Sequence, residues 1–145
     1  MKNYHITIQE ETNFCLCSVL QAIFKEENIN ISQREIAKNL TLSREGFVQN
    51  DDKIKKFLYS NRFEYSVYWY NQIPFNEPDM LLSEMNEHHG LIGIGHHVYL
   101  LNGFKDPLLQ MTNPEDAKKT STTLNPLRKE MQEKDGFFGL LKYIF

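Results

Sequence analysis

The chain has 145 residues, of which 41% are hydrophobic and 24% charged, with a net charge of -3. That length suits one domain, residues 1–145, with a real hydrophobic core. The mildly acidic balance leaves no basic footprint, so nucleic acid is not an expected partner.

The start, Met1-Lys2-Asn3-Tyr4-His5, lacks the apolar centre of a signal peptide, and no apolar run is long enough to span a bilayer. The expectation is a cytoplasmic chain in a reducing compartment, where thiols stay free. Secretion by a route that needs no signal peptide fits the same composition. Nothing in the sequence speaks to oligomeric state.

In chain order, the first helix is expected from Asn13 onward. Phe14, Cys17, Leu20, Ala22 and Phe24 fall near one broad face, widened by Val19 and Ile23. Thr12 or Asn13 is the expected cap. "SQREIAKNL" opens on Ser32 with Glu35 three positions on, a capping box, and predicts a helix over 33–40.

"NDDKIKKFLYSN" predicts another helix, with Ile54, Phe57 and Leu58 on one side and Asp51 and Asp52 in the first turn. "FEYSVYWY" alternates and is rich in aromatic residues, which predicts a strand. Its Tyr65, Tyr68, Trp69 and Tyr70 read as half core and half surface. Pro74 and Pro78 punctuate a loop, and "DMLLSEMNEH" is expected to be helical.

"GLIGIG" reads as a short apolar strand. "HHVYLLNGF", "KDP" and "LLQMT" read as strand, turn and strand, stopping at Asn113-Pro114. The polar segment 115–135 is mixed, with a helix over 126–134. "GFFGLLKYIF" closes the chain as an apolar strand or packing segment. Helices lead and strands follow, so the fold class is α+β.

The only two cysteines, Cys15 and Cys17, stand one residue apart. A bridge between them would close a small, strained ring. On a helix their side chains point about 200° apart, so they are expected to do different jobs. Cysteine attacks as its thiolate, favoured by a helix N-terminus and a nearby imidazolium. Cys15 lies in the first turn and is the better candidate nucleophile. Cys17 reads as core filling.

His88 and His89 sit in a polar helix-end context and read as solvated. His96 and His97 follow Gly95 at the head of an apolar strand, and their side chains face opposite ways. His97 is the preferred base. A register slip of one residue would exchange the two, so His96 stays a candidate.

A base needs an acceptor for its other N–H. A hairpin turning near Lys105-Asp106-Pro107 would bring Asn113 to His97. An acyl-transfer site also needs oxyanion donors. Gln9, six positions before Cys15, is the candidate side chain, beside the Cys15 N–H.

With these residues in view, the sequence resembles papain-like cysteine peptidases. It is most similar to the bacterial domains that cleave double-glycine leader peptides. The resemblance rests on "QEETNFC" with Gln9 and Cys15, on the helix "SVLQAIF", on "HVYLLNG" from His97 to Gly103, and on "MTNP" with Asn113 and Pro114. It covers roughly residues 5 to 115.

Two positions depart from the pattern: Leu16 stands where those domains carry Gly, and Asn113 where they more often carry Asp. The chain is expected to stand alone, without a transporter segment. The resemblance implies a papain-like fold, with N-terminal helices packed on a C-terminal antiparallel sheet. It implies a thiol-dependent hydrolase acting on a peptide or protein substrate through Cys15, His97, Asn113 and Gln9, with no cofactor and no metal.

Three rival readings use the same residues. One is a papain-fold deamidase or acyltransferase acting on a protein side chain. Another is an inactive, peptide-binding module. The third is a zinc site of Cys15, Cys17 and the histidine pair, whose spacing does not match structural zinc ligands.

Overall fold

The computed structural model describes residues 2–42, 51–70 and 78–144. The expected loop at Pro74 lies outside these residues. Three helices come first: α1 (Cys15–Glu26), α2 (Gln33–Leu40) and α3 (Asp51–Ser60). Strand β1 (Phe63–Trp69) and helix α4 (Pro78–Glu87) follow. Then come β2 (His89–Ile94), β3 (His97–Lys105), β4 (Leu108–Thr112), β5 (Lys119–Thr123), α5 (Leu124–Glu133) and β6 (Phe137–Tyr143).

The strands form one sheet in the order β1-β6-β2-β3-β4-β5, and every neighbouring pair is antiparallel. The C-terminal strand is thus not an edge. It pairs with β1 on one side and β2 on the other, which explains its unbroken apolar run.

Both faces of the central strands are covered. Leu91, Leu100 and Leu141 pack on one face with α1 residues such as Val19, Leu20 and Ile23. Their chain neighbours Ile92, Leu101 and Leu140 point the other way and pack with Leu82 and Met85 of α4 and Met131 of α5. Strands buried on both faces read as continuous hydrophobic stretches rather than alternating ones.

Helix α1 lies between β3 and α2, and nine of its twelve residues are buried. That is wider than the one face the sequence predicts. At α2, the Ser32 Oγ accepts the Glu35 N–H at 3.1 Å, as the capping box predicts. At α1, neither Thr12 nor Asn13 is the cap. Phe14 holds that position and makes no side-chain cap bond. The backbone turn closes instead through Phe14 N–H to Glu11 O at 3.0 Å.

Strand β5 lies in the segment read from sequence as mixed and polar. Its residues, Lys119-Thr-Ser-Thr-Thr123, are largely exposed and carry no apolar alternation. A polar outermost strand of this kind resists pairing with other chains. The β1 aromatics divide as expected: Tyr65 is buried and Trp69 is exposed.

Candidate active site

Cys15 is the first residue of α1 and is only 4% exposed. Cys17 is wholly buried in the core under the sheet. Burial, with the nearby Cys15 charge adding to it, pushes the Cys17 thiol up to about 12. It is therefore a protonated, apolar filler at neutral pH. Leu16 also faces the core cluster.

His97 begins β3, directly after a two-residue turn at Gly95 and His96 that links it to Ile94 of β2. Gly95 has φ +61°, a conformation glycine adopts without strain. The His97 ring hydrogen-bonds Asn113 and interacts with the Cys15 thiol. The Nε2–Oδ1 distance to Asn113 is 2.8 Å.

The amide of Asn113 is held in one orientation because its Oδ1 also accepts the Glu115 N–H at 3.0 Å. A backbone N–H can only donate, so the amide atom that Glu115 N–H meets is an oxygen and can only accept. Nε2 of His97 therefore carries a hydrogen. Nδ1 is left as the ring nitrogen that meets the thiol.

The interaction with the Cys15 thiol raises His97 above its ordinary pKa. Burial opposes it, while the Asn113 bond, the Cys15 charge and the Glu115 carboxylate add to it. The imidazolium is thereby favoured beside the sulfur. His96, by contrast, is exposed.

A β-bulge decides which way Asn113 points. From the turn, Lys105 pairs with Leu108 and Gly103 with Gln110. Beyond Asn102 the register shifts, so that Leu101 pairs with Met111 and Leu100 with Thr112. Continuing that register sets Asn113 across from Tyr99, on the face that Tyr99 shares with His97. Were Asn102 paired with Met111 instead of left out of the ladder, Asn113 would stand across from Leu100, on the opposite face.

The bulge is itself anchored. Asn102 is 3% exposed, and its Oδ1 accepts from the Thr112 hydroxyl at 2.5 Å. Its backbone carbonyl accepts the Lys2 N–H at 2.8 Å.

Gln9 lies in the segment leading to α1, and its backbone N–H reaches Pro114 O at 2.9 Å, just past Asn113. Its side-chain Nε2 donates to Glu11 O at 3.1 Å and Thr12 O at 3.0 Å, within the turn before Cys15. Its Oε1 is buried and meets no hydrogen-bond partner among the described residues.

Three neighbours were not singled out from sequence. Tyr99 meets the His97 ring edge-on, with centroids 4.6 Å apart and planes at 82°. The Glu115 carboxylate lies 3.8 Å from His97 Nδ1. Gln33 of α2 binds the Gln9 segment, its Oε1 accepting the Glu10 N–H at 2.9 Å. The same-face spacing of residues 97 and 99 could have flagged Tyr99; no local pattern marks the other two.

His89, read as solvated, is in fact 5% exposed. Its Nδ1 lies 2.7 Å from the Tyr4 hydroxyl and its Nε2 3.0 Å from Glu27 Oε1. Among the described residues, no three or more His, Cys, Asp or Glu side chains gather so as to hold a metal ion. Among the same residues, no helix is long and apolar enough to cross a membrane.

A thiol at a helix start, an imidazole heading a strand and a carboxamide at the end of the next strand sit on the architecture of papain-like peptidase domains. Solved structures carry the same fold along almost the whole chain. The peptidase domain of Streptococcus ComA, a bifunctional ABC transporter involved in quorum sensing, matches with a TM-score of 0.70 at 19% identity, over 97% of this chain and 98% of that one.

A double glycine motif protease from an AMS/PCAT transporter, solved with its leader peptide, also matches with a TM-score of 0.70. The identity is 16%, over 97% and 92% of the two chains. The Streptococcus mutans ComA peptidase domain bound to a small-molecule inhibitor matches at 0.58 and 16%, over 95% and 98%. No protein-family model matches the sequence, and no curated protein does.

Proposed function

We propose that the chain is a cysteine peptidase cutting a peptide substrate through Cys15, His97 and Asn113. The observation that carries this reading is a single imidazole, His97, held by Asn113 at 2.8 Å and raised chiefly by its interaction with the Cys15 thiol. The neighbour solved with a leader peptide supports a peptide as the substrate class.

In this reading the Cys15 thiolate adds to the scissile carbonyl carbon and forms a C–S bond. The oxyanion is met by the Cys15 N–H at the uncapped start of α1 and by the Gln9 amide. Gln9 is to exchange one of its two loop carbonyls for the substrate oxygen. The C–N bond breaks as His97 Nδ1 gives its proton to the departing amine. Water then attacks the thioester, His97 takes a water proton, and the acid product leaves as the thiolate returns. Asn113 keeps the ring in place throughout.

Iodoacetamide labelling near pH 6 tests the pair directly. Cys15 is expected to label selectively, and His97→Ala to abolish that selectivity. Slow, equal labelling of both cysteines would instead favour a peptide-binding module. Mass spectrometry of a peptide pool, including peptides with a Gly-Gly pair, is expected to show cleavage. A one-dalton gain without cleavage would replace the peptidase by a deamidase.

A further inference from the structure

Gln33 is wholly buried although it begins a helix, and its side-chain amide is fully engaged. Its Oε1 accepts the Glu10 N–H at 2.9 Å. Its Nε2 lies 3.2 Å from Thr7 O, 3.2 Å from Ile8 O and 3.1 Å from Gln21 Oε1. The Glu10 N–H fixes which end of the amide is oxygen, so the other contacts are donated by nitrogen.

Gln33 thus does for residues 7–10 what a neighbouring strand would do. It takes the N–H on one side of Gln9 and a carbonyl on the other. The N–H of Gln9 itself points to a different partner, Pro114 O. Ser18 Oγ adds a bond to Thr7 O at 2.5 Å from α1. The adjacent Arg34 pairs with Glu11 at 3.1 Å on the surface. Two helices and the end of β4 therefore fix the one stretch that carries the candidate oxyanion donor.

We propose that Gln33 is a positioning residue for the reaction, setting the Gln9 amide against the start of α1 without touching substrate. This rests on the peptidase reading and on Gln9 as oxyanion donor. The assignment separates two halves of the site. The thiol–imidazole pair is held by α1, β3 and β4, whereas α2 acts on the segment of the oxyanion donor alone.

The test is a double-mutant cycle on the full chain with a cleaved peptide. Gln9→Ala is expected to lower kcat about 10²-fold, the scale of one oxyanion donor. Gln33→Met removes all four contacts at nearly the same volume. Gln33→Glu keeps the acceptor and loses the donor. Each is expected to lower kcat by about ten- to a hundredfold through misplacement, with KM little changed.

Combined with Gln9→Ala, either is expected to add little, because both act on one donor. Iodoacetamide labelling of Cys15 should stay at the wild-type rate in all of them. Additive losses, an unchanged kcat, or labelling that falls with turnover would overturn the proposal. So would loss of the cooperative melting transition in both Gln33 variants, which would assign Gln33 to the fold as a whole. A wild-type chain that cuts nothing defeats the peptidase reading itself. Turnover untouched by Gln9→Ala defeats the donor role, and this inference with it.

Discussion

Replacing Asn113 by alanine tests the site where its geometry is most explicit. Its Oδ1 accepts from His97 Nε2 at 2.8 Å and from the Glu115 N–H at 3.0 Å. The substitution removes the ring's anchor and one of the causes that raise His97. A hydrogen bond to a charged group contributes about 1.5–3 kcal/mol. If that bond is strongest when the ring is imidazolium, kcat/KM falls about ten- to a hundredfold, at about 1.4 kcal/mol per decade.

The pH profile adds a sign. A raised His97 keeps its proton to higher pH, so the thiolate–imidazolium pair is populated below the raised value and lost as pH rises through it. Asn113→Ala lowers that value, so the alkaline limb of kcat/KM against pH moves to lower pH. Both effects are read by peptide cleavage between pH 5 and 9, a range that brackets the ordinary imidazole value of about 6.5. Unchanged turnover with an unmoved alkaline limb would refute the orienting role.

Deleting Asn102 should close the bulge and keep Leu101 opposite Met111 and Asn113 opposite Tyr99, so His97 and Asn113 still share a face. A folded deletion variant should therefore retain more turnover than Asn113→Ala; a loss as deep as in Asn113→Ala would contradict the register argument. Cys17→Ala should cost about 1 kcal/mol in a denaturant melt, for a small buried cavity. It should leave selective Cys15 labelling in place. His89, lowered chiefly by burial, contributes stability that is fully present above about 6.5 and is lost as pH falls through its lowered value. Urea midpoints should therefore drop on acidification below that point, and the slope should shrink in His89→Gln.

Most elements were legible because their apolar spacing is local. The capping box at Ser32, the alternation from Phe63 and the apolar run from His97 each announce themselves within a few residues. Position in the sheet is another matter. Nothing within 137–143 says that this strand inserts between β1 and β2, because that depends on residues 63–69 and 89–94 offering two free edges. Strand β5 was invisible for the opposite reason. Its Lys, Ser and Thr residues have no face to bury, so it forms only because β4 is already there to pair with.

The site was legible as a set of residue types in order, but the geometry uniting them was not. An uninterrupted hairpin with its turn at Asp106-Pro107 would bring His97 and Asn113 to the same end yet turn them to opposite faces. One unpaired residue, Asn102, corrects the parity. Its buried amide is satisfied by Thr112 and by the chain start at Lys2, a hundred positions away in sequence. The same holds for Gln33, which sits in a stretch that locally says only where a helix begins. Chemistry-bearing residues show in a sequence because few side chains can do their work. The residues that aim them do not show, because almost any amide can make such bonds once the fold has delivered the partners.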